Sequence, residues 1–198
     1  MKKMITVKIN GEERQYPQGA TYEDVANDYQ QEYENLIALA ARDGKIRELF
    51  KKLTRDCEVT FFTLKDDVGN KTYVRSATML FLKAVFDVYG REAAQSCRVE
   101  FAIGNGSYIS PKEKINATEE NAAKIRNRMR ELVEAKTPFL KRSYSLDNAM
   151  ELFRKEGMKD KEKLFRYRRG SFVNIYEMDG YYDYYYGYIC LLYTSDAA

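Results

Sequence analysis

Arg75 and Met79 stand four residues apart in Tyr73 to Gly90, YVRSATMLFLKAVFDVYG, the longest apolar-rich run with helical spacing. On a helix the two side chains share one face. A metal site would want two histidines at that spacing. Arginine cannot bind zinc while charged, methionine is a soft, weak ligand, and the chain contains 0 histidines. A metal-activated water is therefore not expected. Cys57, Cys97 and Cys190 are scattered, with no CxxC, so neither a disulfide framework nor a structural zinc site is expected. No G-x-x-x-x-G-K-[ST] loop is present. Gly69-Asn70-Lys71-Thr72 is a faint echo of one, and Gly104-Asn105-Gly106 begins like GxG but reads more simply as a tight turn after a strand.

Two other groups of residues could do chemistry. Lys161, Lys163, Arg166, Arg168 and Arg169 interleave with Phe165 and Tyr167. Arginines on phosphates and rings on bases would make a nucleic-acid surface. The simpler reading is a solvated face with two core aromatics. Tyr181 to Tyr188 is a tyrosine cluster that would serve either as a stacking platform or as the filling of a core.

The composition sets wide bounds. The chain has 198 residues, 44% hydrophobic and 32% charged, which suits one large or two small soluble domains. A net charge of +3 is too balanced to argue by itself for nucleic acid or an anionic membrane. MKKMITVKIN is interrupted by charge too early for a signal peptide or a membrane span. Asn70, Asn105 and Asn116 begin N-x-[ST] triplets that read as chance matches. A reducing, cytoplasmic setting without membrane contact is expected.

These residues must be positioned by a regular set of elements. Met4 to Ile9 alternates with period two and reads as a strand, Asn10-Gly11 as a hairpin turn, and Glu13 to Tyr16 as the return strand. Thr21, with Asp24 three residues on, opens a helix that places Val25, Ala26 and Tyr29 on one face. Leu36 to Ala41 and Glu58 to Leu64 read as strands, with a turn at Asp43-Gly44. Strand, strand, helix, then strands is a ubiquitin-like β-grasp pattern. Asp66 to Asn70 reads as a polar turn and the best domain boundary. Beyond the helix at 73–90 come a strand at Val99 to Ile103 and a helix from the Thr118 cap to about Lys136. The apolar stripe of that helix is Ala122, Ile125, Met129, Leu132 and Val133. A strand at Phe139 to Tyr144, a helix from the Ser145 cap through Phe153, and a hairpin of Val173 to Met178 with Tyr181 to Ile189 complete the series. The fold class is α+β.

The runs ARDGKIREL, DCEVTFFTL, YVRSATMLFLKAV, VEFAIGNGSY, the 118–138 helix with TPF, and DYYYGY carry a resemblance. Residues 1–66 resemble a TGS domain, the β-grasp module at the start of threonyl-tRNA synthetases. Residues 70–189 resemble the second additional domain of threonyl- and alanyl-tRNA synthetases, which edits mischarged tRNA. The run from Ala149 to Lys161, with LFRYRR and VNIY after it, also resembles bacterial nucleoside (uridine) kinases that carry this pair of domains ahead of a kinase domain. The editing enzymes carry HxxxH on the first helix and CxxxH near the end. By position these motifs fall on Arg75 and Met79, and on Tyr185 and Ile189, none of which keeps metal-ligand chemistry.

The resemblance implies a non-catalytic, N-terminal binding or regulatory region of a nucleoside kinase. Its partner would be its own C-terminal kinase domain, which would use ATP and magnesium; no cofactor is expected in the present chain. The alternative is a stand-alone RNA-binding fragment whose partner is tRNA or another structured RNA. Lys161, Lys163, Arg166, Tyr167, Arg168 and Arg169 are its candidate contact residues. Residues 190–198 depart from the resemblance and are expected to be a non-native tail.

Overall fold

The computed structural model describes residues 3–103, 106–111 and 114–190. Gly104 and Asn105 of the expected tight turn, and 191–198 of the expected tail, lie outside these residues. The architecture is α+β, and its contacts sort the described residues into two units, 3–76 with 187–190, and 77–186. No helix among the described residues is long and apolar enough to cross a membrane.

The first unit begins with β1 (Met4–Ile9), whose alternation buries Ile5, Val7 and Ile9. Asn10 and Gly11 take positive φ, 53° and 88°, the conformation that a two-residue hairpin turn demands. They return the chain into β2 (Glu12–Pro17), paired antiparallel to β1. Helix α1 (Tyr22–Tyr29) starts on a full capping box. The Asp24 N–H donates to Thr21 Oγ1 at 3.1 Å and the Thr21 N–H to Asp24 Oδ2 at 2.7 Å. Its inner face, Tyr22, Val25, Ala26 and Tyr29, is buried. The remaining strands are β3 (Ile37–Arg42), β4 (Lys45–Glu48) and β5 (Cys57–Thr63). The sheet runs β2-β1-β5-β3-β4, with β1 and β5 parallel at its centre. This is the β-grasp order, and α1 and the sheet share one apolar core. Strand β4 was not anticipated from the sequence, since KIRE carries little apolar alternation.

Helix α2 (Asp67–Tyr89) starts earlier than its apolar spacing indicates, so the polar turn expected at Asp66 to Asn70 is corrected. The turn lies just before, where Asp66 Oδ2 accepts the Thr63 N–H at 2.7 Å and the Asp66 N–H donates to the Thr63 carbonyl at 3.1 Å. The DDVGN composition signals a turn locally, but each residue has a helical use. Asp67 sits at the positive end of the helix dipole and pairs with Lys71 at 2.6 Å. Gly69, part of the faint phosphate-loop echo, is a packing glycine. A Cβ there would overlap the Thr63 carbonyl oxygen and stand 2.8 Å from its carbon.

The second unit continues with α3 (Arg91–Ser96) and the two-stranded ribbon of β6 (Arg98–Ile103) and β7 (Gly106–Ser110). Helix α4 (Glu119–Glu134), capped by Thr118, buries Ile125, Leu132 and Val133 of the expected stripe. Then come β8 (Leu140–Ser145), α5 (Leu146–Lys155), α6 (Lys159–Arg166), β9 (Phe172–Met178) and β10 (Tyr181–Asp183). The three strands form an antiparallel sheet, β10-β9-β8. Lys83 on α2 is only 2% exposed and ties the unit together. Its ammonium pairs with Asp87 at 2.7 Å and donates to the Asp179 carbonyl at 2.8 Å, while Arg128 of α4 holds the other Asp87 oxygen at 2.8 Å.

Helices α3 and α6 and strand β7 were not anticipated. Met158, at the start of α6, offers no side-chain cap, so the helix carries no start signal. Of Tyr181 to Ile189, expected as a strand or extended segment, Tyr181–Asp183 is strand.

Gly69→Ala provides a test of the α2 start. In an open helix the change would stabilise by roughly 1 kcal/mol. Against the Thr63 carbonyl it is expected instead to destabilise by about 1–3 kcal/mol, read by urea denaturation.

Candidate nucleic-acid interface

The four positions that the resemblance aligns with metal ligands are packed rather than open. In the first unit Arg75 lies against Gly187, whose φ of 143° and lack of a Cβ admit it; a Cβ there would be 2.7 Å from the guanidinium carbon. Ile189 is fully buried. Beside it the Cys190 N–H donates to Ser76 Oγ at 2.9 Å, and Ser76 donates to the Thr72 carbonyl at 2.8 Å. Cys190, the first residue of the expected tail, is thus held in the first unit.

In the second unit Met79 is fully buried. The Tyr185 ring stands edge-on to Tyr176 with centroids 6.4 Å apart, and its hydroxyl is buried without a partner. Burial pushes the Tyr185 phenol well above its ordinary range, so it is no phenolate ligand. A cation, a thioether, a neutral phenol and a hydrocarbon do not fit a zinc ion. Among the described residues there is no group of three His, Cys, Asp or Glu side chains that could hold one.

Helix α6 divides the basic cluster by function. Its inner face carries Glu162, Phe165 and half-buried Lys161. Phe165, read from sequence as a possible base-stacking ring, is core. It packs on Phe153 at 5.5 Å and edge-on to Tyr184 at 5.0 Å. Lys161 forms an ion pair with Asp183, which is only 2% exposed. Burial pushes the Lys161 ammonium down, to about 8, while the neighbouring Asp160 carboxylate acts in the opposite direction. Asp183 also accepts the Tyr184 N–H at 2.6 Å and the Tyr181 hydroxyl at 3.4 Å.

The outer face is a different surface. Lys163, Arg166 and Arg169 are exposed. Arg166 also pairs with Glu162 at 3.0 Å; Arg154 first and Arg166 second hold that carboxyl below its usual range. Tyr167, expected in the core on the simpler reading, is 80% exposed. Arg168 lies over the Tyr184 ring, 5.3 Å from its centroid, and donates to its hydroxyl. Leu164, Tyr167, Arg168, Tyr184 and Tyr186 line one groove of about 360 Å³. The structure therefore joins two clusters that the sequence presents separately. Leu164 was missed, because an apolar residue inside a basic run reads as core.

A second, apolar groove of about 510 Å³ runs along α4, walled by Ile109, Ile115, Ala122, Ile125 and Met129. No sequence motif marks it.

No family model matches this chain. It is nevertheless similar over most of its length to threonine–tRNA ligases. One from Thermotoga maritima is 28% identical over 184 residues, 86% of this chain and 28% of the relative. One from Carboxydothermus hydrogenoformans is 25% identical over 183 residues, with 87% and 28% covered. One from Maricaulis maris is 26% identical over 182 residues, with 91% and 28% covered. The chain spans about 28% of the length of these relatives.

Two outcomes are expected here. Elemental analysis of purified protein should find zinc far below stoichiometry, because the aligned side chains are not ligands. Asp183→Asn should destabilise by about 1.5–3 kcal/mol in urea melts by stranding the Lys161 ammonium. Adding Lys161→Met should recover part of that loss, whereas a double-variant loss equal to the sum of the two single losses would mean the pair does not couple.

Proposed function

We propose that this chain is a non-catalytic RNA-binding region, with a tRNA or similarly structured RNA as its partner, and that the outer face of α6 is its contact surface. The observation that carries the reading is a groove in the second unit lined by Arg168 and exposed tyrosines, on a stretch of chain that also exposes Lys163, Arg166 and Arg169. Cations meet phosphates wherever the strand runs, and rings meet bases; neither contact needs a metal. The relatives point the same way, since their names couple threonine to tRNA. Arg168 is held on Tyr184 and Arg166 is paired with Glu162, while Lys163 and Arg169 are exposed.

The kinase reading rests on the resemblance of residues 149–161, LFRYRR and VNIY alone. Threonine–tRNA ligases as relatives give it no support.

Replacing Lys163, Arg166 and Arg169 together with alanine is expected to weaken RNA binding across sequences. It should also lower the slope of log affinity against log salt by about 1 for each phosphate that is no longer neutralised. Thermal melting of the same variant controls for folding. If the cations serve only to pair with carboxylates, the melting temperature falls and the salt slope stays.

A further inference from the structure

We propose that the groove between the end of α6 and the segment after β10 takes an unpaired nucleotide, so that the partner is read as single-stranded RNA by stacking; this rests on the RNA reading above. Tyr167 and Tyr186 are 80% and 84% exposed, and Leu164 beside them is 54% exposed. Three large apolar side chains left in water around one groove are costly unless something covers them. The occupant must be flat and anionic. Flatness follows from the exposed Tyr167 and Tyr186 rings that line the groove, faces on which a planar ring can stack. Charge follows from Arg168, which lines the groove, and from Lys163, Arg166 and Arg169, which are exposed on the same short stretch of chain.

Size selects between forms of RNA. At about 360 Å³ the groove is at the low end of small-ligand sites, which run from about 300 to 1,000 Å³. It has room for a nucleotide and not for a helix. Bases in a duplex are already stacked on each other and present only edges, whereas an unpaired base offers its ring face. Every base has such a face, so the readout tolerates sequence.

The test uses the full chain with two probes, a short oligouridylate and an RNA hairpin stem of equal length, followed by fluorescence anisotropy. The oligouridylate should bind about tenfold or more tighter than the stem. Tyr167→Ala and Tyr186→Ala should each weaken oligouridylate binding about 5- to 150-fold without changing the salt slope, and Tyr186→Phe should restore it. Both positions are exposed, so the variants should fold as the parent does. Equal affinity for the two probes, with tyrosine variants neutral and the Lys163, Arg166 and Arg169 substitutions still harmful, would overturn stacking and leave the RNA reading standing. No affinity for either probe would overturn both. A concentration-dependent dimer in sedimentation, abolished by Tyr167→Ala and Tyr186→Ala, would show that a second copy covers the groove and would also overturn the proposal.

Discussion

The second unit's candidate surface depends on one buried carboxylate. Asp183, at the end of β10, collects the Lys161 ammonium, the Tyr181 hydroxyl and the Tyr184 N–H. A carboxylate removed from water must be paired or it will not stay ionised. These three donors provide the pairing, and each has a structural consequence. Lys161 docks the start of α6 against β10. Tyr184 N–H is satisfied by this carboxylate just past the end of β10, where the chain goes on to Tyr184 and Tyr186. The walls of the groove are the far end of α6 and that departing segment. Removing Asp183 therefore acts on a surface that it never touches.

The inner and outer faces of α6 illustrate how one basic run can serve two purposes. KDKEKLFR is too polar to form a stable isolated helix of eight residues. Phe165, seated between Phe153 and Tyr184, supplies the packing that holds it. Lys161 and Glu162 on the same side are neutralised by Asp183, Arg154 and Arg166. The outward side chains have no such obligation in the core. The basic cluster is thus neither purely a solvated face nor wholly a binding site.

The four positions that the resemblance aligns with metal ligands are closely packed. Met79 and Ile189 are fully buried, the Tyr185 hydroxyl is dry, and Arg75 is accommodated by the missing Cβ of Gly187. Side chains packed in this way resist simple restoration. Placing histidines back at Arg75 and Met79 would put polar rings among neighbours shaped for other groups.

Much of this protein was legible locally. Alternation in Met4–Ile9, Asn10-Gly11, the Thr21–Asp24 capping box and the Thr118 cap each act within a few residues, so sequence alone determined the first hairpin, α1 and α4. The absence of histidine likewise argued against zinc chemistry from the chain alone. Long-range contacts decided the rest. Gly69 is a turn former by composition and a helix residue by its fit against Thr63. Phe165 and Tyr167 are two aromatics in one basic run, yet one is core and the other exposed, because only Phe165 faces Phe153 and Tyr184. Tyr167 and Tyr186 share a groove because folding brings the end of α6 to the segment after β10, with the Lys161–Asp183 pair between the two elements. Neither fact has a signature in spacing, since the partners are brought together by folding and not by the chain.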